Sequence, residues 1–388
     1  MRFNYQSKPI ALTTRTAFIV GIAAVAAAAV SLFAGCGGSP TSSTSSSTTP
    51  GTPAASATPA SPAAATTVTY AIIPKMLNNP VFKLAQLGAI KEAADLHKQN
   101  PGTTYNIIFQ SSQTGKANEQ AETIDTLANK GVNGMSISTI DANAVKKPIA
   151  DAVGDGIPVI CFDSDAVGSQ RTTLYSVSDE EIGRALGNEL VEAVGGKANM
   201  KGEIAIVSGQ SSAPNLQGRV KGVMDALNPT DYPGVTFLPI LYCDDSTPKS
   251  VDEIRTTMQA HPNLRGLAFV GGWPLFATHA LDGINPKVTP VVSVDSIPQE
   301  WPYLASGQVY CLVGQKYFGW GEQSVKILEG LRTGTLKSPP AFIDSGYDLV
   351  FKNPTPAQRA LAKGDVGVYS ADEYAKQWTA WNTSVQTN

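Results

Sequence analysis

Residues 157–166 read Ile-Pro-Val-Ile-Cys-Phe-Asp-Ser-Asp-Ala, and this stretch decides the fold. Between a glycine and a proline on one side and a polar loop on the other, the apolar run Val159–Phe162 is too short for a helix. It predicts a strand buried on both faces. Asp163 follows where this strand ends, with Ser164 and Asp165 in the next loop. Ligands of open parallel α/β sheets bind at the carboxyl ends of strands, so Asp163 is a candidate ligand acceptor. The alternative is that Asp163 only caps a turn.

Outward from this strand, short apolar runs alternate with longer amphipathic ones. Before it, the pattern predicts strands and helices in turn, at Val68–Ile73, Pro80–Gln99, Tyr105–Phe109, Ala117–Lys130, Gly134–Ser138 and Ala142–Val153. After it, the alternation continues as far as a helix at Tyr317–Gly330, and it includes a strand at Val235–Tyr242 and a helix at Pro274–Asp282. Such alternation is typical of βαβ units in a parallel sheet. The fold class is therefore α/β, with two parallel sheets in series, each of about domain size.

The N-terminus carries export signals. Three basic residues precede an uncharged apolar run, Ala17–Ala34, which predicts a secretory signal peptide over residues 1–35. The residues Leu32 to Cys36 resemble the bacterial lipobox, with Phe33 where leucine is usual, and this resemblance implies that Cys36 is lipidated. The alternative is an uncleaved membrane anchor. Under both interpretations the rest of the chain is exported and tethered, in the periplasm or at the cell surface.

The segment that follows Cys36 predicts a linker. From Gly37 to Thr67 the chain has no charged and no aromatic residue. Such a composition cannot bury enough apolar surface to fold. Residues 36–67 are therefore interpreted as the lipidated cysteine and a disordered linker that holds the folded body away from a membrane.

Amides, carboxylates and aromatic rings follow several of the predicted strands. Because the carboxyl ends of parallel strands share one edge of a sheet, we expect these side chains to gather at a cleft between the two lobes. Carboxylates and amides pair with hydroxyl groups, and flat rings stack on the C–H face of a sugar. The candidate ligand-binding residues are Asn79, Phe82, Asp163, Ser164, Asp165, Gln217, Trp273, Asp295 and Gln315.

At these residues the chain resembles a known family, the ribose-binding-protein-like type I substrate-binding proteins of bacterial sugar ABC importers. The motifs that carry the resemblance are Leu77-Asn78-Asn79-Pro80 with Phe82 and Gly88, Ile157–Ile160 leading to Asp163, Asn215-x-x-x-Arg219-x-x-Gly222, Val294-Asp295, Gly307-x-Val309 and Gln315. It covers nearly all of Val68 to Asn388. It implies that Asn79, Asp163, Asp295 and Gln315 bind a sugar, with Phe82 and Trp273 as stacking candidates, and that Gln217 falls where many members place a ligand-contacting side chain.

The resemblance also implies an architecture and a role. Two Rossmann-like lobes, residues 68–178 with 316–345 and residues 179–315 with 346–388, would be joined by a three-strand hinge, as in the type I periplasmic binding protein fold. Tyr374, Trp378 and Trp381 would pack onto the second lobe. The function implied is capture of a monosaccharide or similar polyol by a monomer, and its delivery to an ABC transporter permease. A sugar-sensing receptor module would have the same fold and site.

Two departures from the family pattern concern the ligand. Many members follow the cleft aspartate with arginine, whereas Ser164 follows it here. Where many members carry an Asn-Asp or Asp-Asp pair, this chain has Gly271-Gly272-Trp273. Both changes bear on the identity of the sugar and leave the general role unchanged.

Simpler roles remain for individual candidates. Asn79 can cap the helix that Pro80 begins, Trp273 can be a core residue, and Asp295 and Gln315 can be turn residues. Packing roles are preferred for four tryptophans, Trp301, Trp320, Trp378 and Trp381. The cysteines of the body are interpreted as buried small hydrophobic residues without a predicted disulfide, namely Cys161, Cys243 and Cys311.

Composition and motifs argue against other classes of function. The net charge of −3 provides no basic footprint for nucleic acid. The only three histidines, His97, His261 and His279, lie far apart in sequence, and no metal, nucleophile-elbow or phosphate-loop motif is present. No cofactor and no metal site are predicted, and the chain is not expected to be an enzyme. A sugar hydrolase that uses Asp163 and Asp295 as an acid–base pair is the remaining alternative.

Overall fold

The computed structural model describes residues Thr66–Ser384, which lie within one compact unit, Pro62–Asn388. The predicted signal peptide, Cys36 and nearly all of the predicted linker fall outside the described residues. Thr66 and Thr67 belong to the first strand, so the fold begins two residues before the predicted start at Val68. No helix among the described residues is long and apolar enough to cross a membrane.

Six parallel strands form the first sheet. Its order is β12-β5-β4-β3-β1-β2. The strands are β1 (Thr66–Ile73), β2 (Thr103–Phe109), β3 (Gly134–Ile137), β4 (Val159–Phe162), β5 (Leu174–Ser176) and β12 (Phe342–Asp344). As predicted, β4 is buried along its whole length, because helices cover both faces of a parallel sheet.

Eight strands form the second sheet, in the order β14-β13-β11-β10-β9-β6-β7, with β8 also paired to β6. All pairs are parallel except β11 with β13. The strands are β6 (Gly202–Ser208), β7 (Val235–Phe237), β8 (Leu241–Tyr242), β9 (Gly266–Phe269), β10 (Val291–Val294), β11 (Cys311–Gln315), β13 (Tyr347–Phe351) and β14 (Gly367–Ser370).

Helices connect these strands and define two lobes. The first lobe comprises the first sheet with α1 (Phe82–Gln99), α2 (Ala117–Asn129), α3 (Ala142–Gly154) and α8 (Tyr317–Thr333). The second lobe comprises the second sheet with α4 (Asp179–Ala193), α5 (Pro214–Ala226), α6 (Thr247–Ala260), α7 (Trp301–Ser306) and α9 (Pro356–Arg359). The chain passes between the lobes after β5, after β11 and between β12 and β13. The two sheets confirm the predicted α/β fold class.

The last helix, α10 (Ala371–Thr383), contacts both lobes. Tyr374 is buried in the core of the second lobe. Trp381 instead stacks on Phe318 of the first lobe, with ring centroids 6.0 Å apart and planes at 9°. The expectation that Tyr374, Trp378 and Trp381 pack onto the second lobe holds for Tyr374, whereas Trp378 contacts the cores of both lobes and Trp381 packs against that of the first.

Two predicted elements differ in the structure. The predicted strand Val235–Tyr242 is divided into β7 and β8. Pro239 lies between them, and proline cannot donate a ladder hydrogen bond. The predicted helix Pro274–Asp282 is reduced to one 3₁₀ turn, Trp273–Phe276, because Ala277 is extended and His279 adopts a left-handed backbone with φ of 62°.

A close helix crossing positions one wall of the cleft. Helices α4 and α5 pack against each other through Gly183 and Gly222. A Cβ at Gly222 would lie 2.1 Å from the Glu180 carbonyl oxygen, so only glycine permits this approach. The crossing places Arg219, one turn earlier on α5, beside Asp179 at the start of α4.

Candidate ligand-binding site

The carboxyl ends of strands from both sheets enclose a narrow cavity between the lobes. Six of the nine predicted ligand-binding residues line it, namely Asn79, Phe82, Asp163, Trp273, Asp295 and Gln315. Polar wall residues that had no predicted role are Lys75, Asn215, Arg219 and Asp245. Within Thr66–Ser384, no group of three histidine, cysteine, aspartate or glutamate side chains is arranged to hold a metal ion.

Asp163 stands at the end of β4 in a left-handed backbone conformation, with φ of 56°. The Ser164 amide donates to the Phe162 carbonyl oxygen at 2.6 Å, which makes a very tight turn. Aspartate tolerates this conformation better than most residues. The Asp163 carboxylate accepts a hydrogen bond from the Ser138 hydroxyl at 2.5 Å. The residue is 4% exposed and lines the cavity from the first lobe.

Asp295 occupies the end of β10 in the second lobe. Its carboxylate accepts three hydrogen bonds, from the Gly272 amide at 2.9 Å, the Tyr317 hydroxyl at 3.0 Å and the Gln315 amide at 3.2 Å. Burial raises the pKa of this carboxyl, and Arg219 opposes the shift. Because three donors surround it, Asp295 is held in one orientation towards the cavity.

Arg219 is a buried cation at the centre of the site. Its guanidinium donates to Asp179 Oδ1 at 2.9 Å, Gln315 Oε1 at 2.9 Å and the Val270 carbonyl oxygen at 3.2 Å. One terminal nitrogen also lies 3.8 Å from Asp163 Oδ1 across the cleft. Burial alone would lower the arginine pKa, but the aspartates raise it, so the group stays charged.

Lys75 and Asn215 join the two lobes directly. The Lys75 ammonium, which follows β1, donates to Asn215 Oδ1 of α5 at 2.8 Å. Asn215 Nδ2 in turn lies 3.5 Å from Asp163 Oδ1. The sequence does contain a signal that could have identified Lys75 as a site residue, since it is a single lysine just after an apolar strand. A lysine at that position needs a polar partner when the cleft closes.

Aromatic rings form the apolar part of the wall. The Phe82 ring packs edge-to-face on Phe162, with ring centroids 6.2 Å apart, and its centroid lies 5.8 Å from that of Trp320. Trp320 therefore packs as predicted and also lines the cavity, while its indole nitrogen has no hydrogen-bond partner among the described residues.

Trp273 lines the cavity from the second lobe. Its ring folds over Gly271, where a Cβ would lie 2.4 Å from the ring. Since Trp273 also belongs to the second-lobe core, its core and cavity roles coexist.

Asn79 likewise combines two roles. Its Oδ1 accepts from the Val81 amide at 3.2 Å, which stabilises the turn before α1. The residue also lines the cavity. Helix α1 begins at Phe82, two residues after the predicted start at Pro80.

Three predicted residues lie away from the cavity. Ser164 is buried behind Asp163, because the tight turn reverses the chain there. Asp165 binds the Arg171 guanidinium through two hydrogen bonds, of 2.6 and 2.8 Å. Gln217 lies on α5 and points back to the preceding loop, where it donates to the Ser211 carbonyl oxygen at 2.7 Å, since α5 turns Asn215 and Arg219 to the cleft instead.

The three cysteines among the described residues, Cys161, Cys243 and Cys311, are free and buried, which confirms the expectation of small hydrophobic residues. Burial raises the thiol pKa of both Cys161 and Cys243 to about 12. These thiols are therefore unreactive packing groups and take no part in the site.

Comparison with known proteins places this chain in a family. The model of the periplasmic binding protein domain matches residues 70–335. The chain is 26% identical over 267 residues to the ribose import binding protein RbsB of Escherichia coli K12, covering 68% of this chain and 85% of that protein. It is 24% identical over 242 residues to the D-galactose/methyl-galactoside binding periplasmic protein MglB of Haemophilus influenzae, covering 59% and 72%.

Solved structures show the same fold. An ABC transporter solute-binding protein from Burkholderia graminis, solved in complex with D-arabinose, is 28% identical with a TM-score of 0.67, covering 74% of this chain and 96% of that one. The glucose–galactose binding protein GanP from Geobacillus stearothermophilus is 20% identical with a TM-score of 0.66, covering 75% and 99%, and shows the fold alone. The chain thus belongs to the periplasmic binding protein domain family, as a ribose-binding-like type I member.

Proposed function

We propose that this protein captures a sugar in the cavity between its lobes and delivers it to an ABC importer. The observation that carries the proposal is that Asp163 and Asp295, one from each lobe, face one cavity that also contains Arg219 and Gln315. Sugar hydroxyls can donate to these carboxylates and accept from the guanidinium and amides. Phe82 and Trp273 supply faces for ring stacking.

The ligand that we propose is a monosaccharide or a closely related sugar. The relatives described above are ribose, galactose and arabinose binders by name, and sugar capture is the role that their shared fold supports. These relatives are binding proteins, not enzymes, so we expect the sugar to leave chemically unchanged. Asp295 is held by three donors, which suits a fixed acceptor better than a group that must exchange protons.

The lobes act as a clamp in this proposal. Residues 68–178 with 316–345 and residues 179–315 with 346–388 would move about the three passages between the sheets. A sugar shifts the open–closed equilibrium by binding the closed state more tightly than the open one. We propose that the protein works as a monomer, since each cavity is built from one chain.

Membership of the periplasmic binding protein family implies that this protein is exported. We propose in addition that it is anchored to a membrane by a lipid. The signal segment of residues 1–35 would be removed and Cys36 lipidated. The uncharged segment that follows would then keep the binding body near a permease in the membrane.

The test is calorimetry on the mature chain without residues 1–35 and with Cys36→Ser. We expect at least one sugar among a panel of pentoses, hexoses and polyols to bind with micromolar or tighter affinity, because several hydrogen bonds to charged groups contribute about 1.5–3 kcal/mol each before ordering costs. The recovered sugar should be unchanged by mass spectrometry. Binding of none of the panel, or turnover of a ligand, would contradict the proposal.

A further inference from the structure

A second cavity lies directly outside the one described above. The inner cavity is lined by Lys75 and Arg219 and leaves about 30 Å³ of free space, so a sugar ring fits there only when the lobes part and the Lys75 side chain withdraws from Asn215. The outer space, here called the mouth cavity, measures about 450 Å³. The two cavities share four wall residues, Met76, Asn79, Asp245 and Trp273, so they are adjacent.

The mouth cavity has the chemistry of a sugar site. Asn78 and Thr114 of the first lobe face Thr247 and Phe276 of the second. The side chains of Asn78, Thr114 and Thr247 make no hydrogen bond within the described part of the chain, so their donors and acceptors are available. Trp273 and Phe276 add aromatic surface beside these polar groups. Since both lobes contribute walls, this space is assembled together with the inner site.

We infer that the ligand is larger than one ring, a glycoside or short oligosaccharide whose terminal sugar binds at the inner site and whose next unit lies in the mouth cavity. This inference rests on the proposed function. Ligand pockets in proteins measure about 300–1,000 Å³, and the mouth cavity lies within that range. A free monosaccharide held by Asp163 and Asp295 would leave the polar and aromatic walls of the mouth without a partner.

Calorimetry on the mature chain with matched pairs tests the inference. The probes are D-xylose, L-arabinose, D-galactose and D-glucose, each compared with its methyl glycosides and with the disaccharides that carry it at the non-reducing end. We expect one disaccharide to bind at least tenfold more tightly than its monosaccharide. In the exposed double variant Asn78→Ala/Thr114→Ala this advantage should fall to threefold or less, while monosaccharide affinity stays unchanged.

Each other outcome overturns the inference in a distinguishable way. If a monosaccharide binds as tightly as its disaccharide, the mouth is not a subsite, although the proposed function stands. If the disaccharide advantage persists in the double variant and also in Phe276→Leu, the second unit binds elsewhere. If no sugar of either size binds a protein with a normal melting temperature, the proposed function falls together with the inference.

Discussion

Asp163 and Asp295 occupy equivalent positions in the two lobes. Each follows the fourth strand from the edge of its sheet, counted from β2 and from β7, and each has a left-handed backbone, with φ of 56° and 82°. Each amide donates to the next strand, Asp163 to the Tyr175 carbonyl oxygen and Asp295 to that of Val313. The repeated geometry aims two carboxylates at one cavity from opposite sides, which is what a two-lobed clamp requires.

Asp163→Ala and Asp295→Ala should each weaken sugar binding by about 2–4 kcal/mol, because truncation leaves a buried sugar hydroxyl unpaired. Calorimetry with the sugar found for the wild type measures the effect. Gln217→Ala is the matched control, since its side chain lies outside the cavity, and it should bind as the wild type does. Unchanged affinity in either aspartate variant would remove that residue from the site.

Lys75→Met should favour the open form. The variant keeps the aliphatic stem but loses the bond to Asn215 that joins the lobes. Small-angle scattering should show the wild type compacting when ligand is added, and the ligand-free variant should have a larger radius of gyration than the ligand-free wild type. Lys83→Met, which removes an exposed ammonium on α1, is the control. If the ligand-free wild type and Lys75→Met have the same radius of gyration, the Lys75–Asn215 hydrogen bond does not hold the lobes together. If the wild type does not become more compact at saturating ligand, the lobes do not close on the sugar.

Trp320→Phe should lower sugar affinity about tenfold, the effect of about one hydrogen bond. The ring packing against Phe82 is largely retained, while the unpartnered indole N–H of the cavity wall is lost. Trp381→Phe, in α10 and away from the cavity, should leave the affinity unchanged. If the two variants bind sugar equally well and melt normally, the Trp320 nitrogen does not contact the ligand.

Stability should fall as the pH rises because of Glu189, which is 4% exposed and has one carboxylate oxygen without a partner among the described residues. Burial raises its pKa from 4.5 to about 7, with a smaller contribution from Glu192. Between these pH values the folded state binds more protons than the unfolded state, so the free energy of unfolding decreases, by about 3 kcal/mol in all.

Urea denaturation of the wild type and of Glu189→Gln between pH 4.5 and 8 checks this expectation. The decrease should be smaller in the variant by about the contribution of Glu189, because its amide does not ionise. Burial also raises the pKa of Asp179 to about 7, so part of the decrease should remain. The exposed neighbour variant Glu192→Gln should keep it. A decrease as large in Glu189→Gln as in the wild type would show that Glu189 makes no contribution to the pH dependence.

Lipidation at Cys36 predicts incorporation of radiolabelled palmitate when the full chain is expressed in a bacterial host. The label should be lost in Cys36→Ala, because the thiol is the attachment point, and the variant protein should shift from the membrane to the soluble exported fraction. Cys243→Ala, which changes a buried thiol, should keep the label. Equal labelling of wild type and Cys36→Ala would contradict lipidation at this residue.

Local pattern was sufficient for most of the fold. Apolar runs of strand length between amphipathic segments predict the parallel sheets, because burial on both faces demands such runs. The aspartates at the ends of β4 and β10 were predictable for the same reason, since a polar residue directly after a buried strand lies at the ligand-binding edge of the sheet.

Only the tertiary structure decided which polar side chains near those strand ends reach the cavity. Asp165 is adjacent to the right strand but pairs with Arg171, and Gln217 is turned away. Arg219, two residues after Gln217 and so on another face of α5, enters the site because two glycines let α4 and α5 approach closely. Lys75 gains its partner, Asn215, only when the lobes close. Helix packing sets the direction of each side chain, and lobe closure sets the contacts between segments about 140 residues apart, such as Lys75 and Asn215. The neighbouring residues in sequence determine neither the direction nor the contacts.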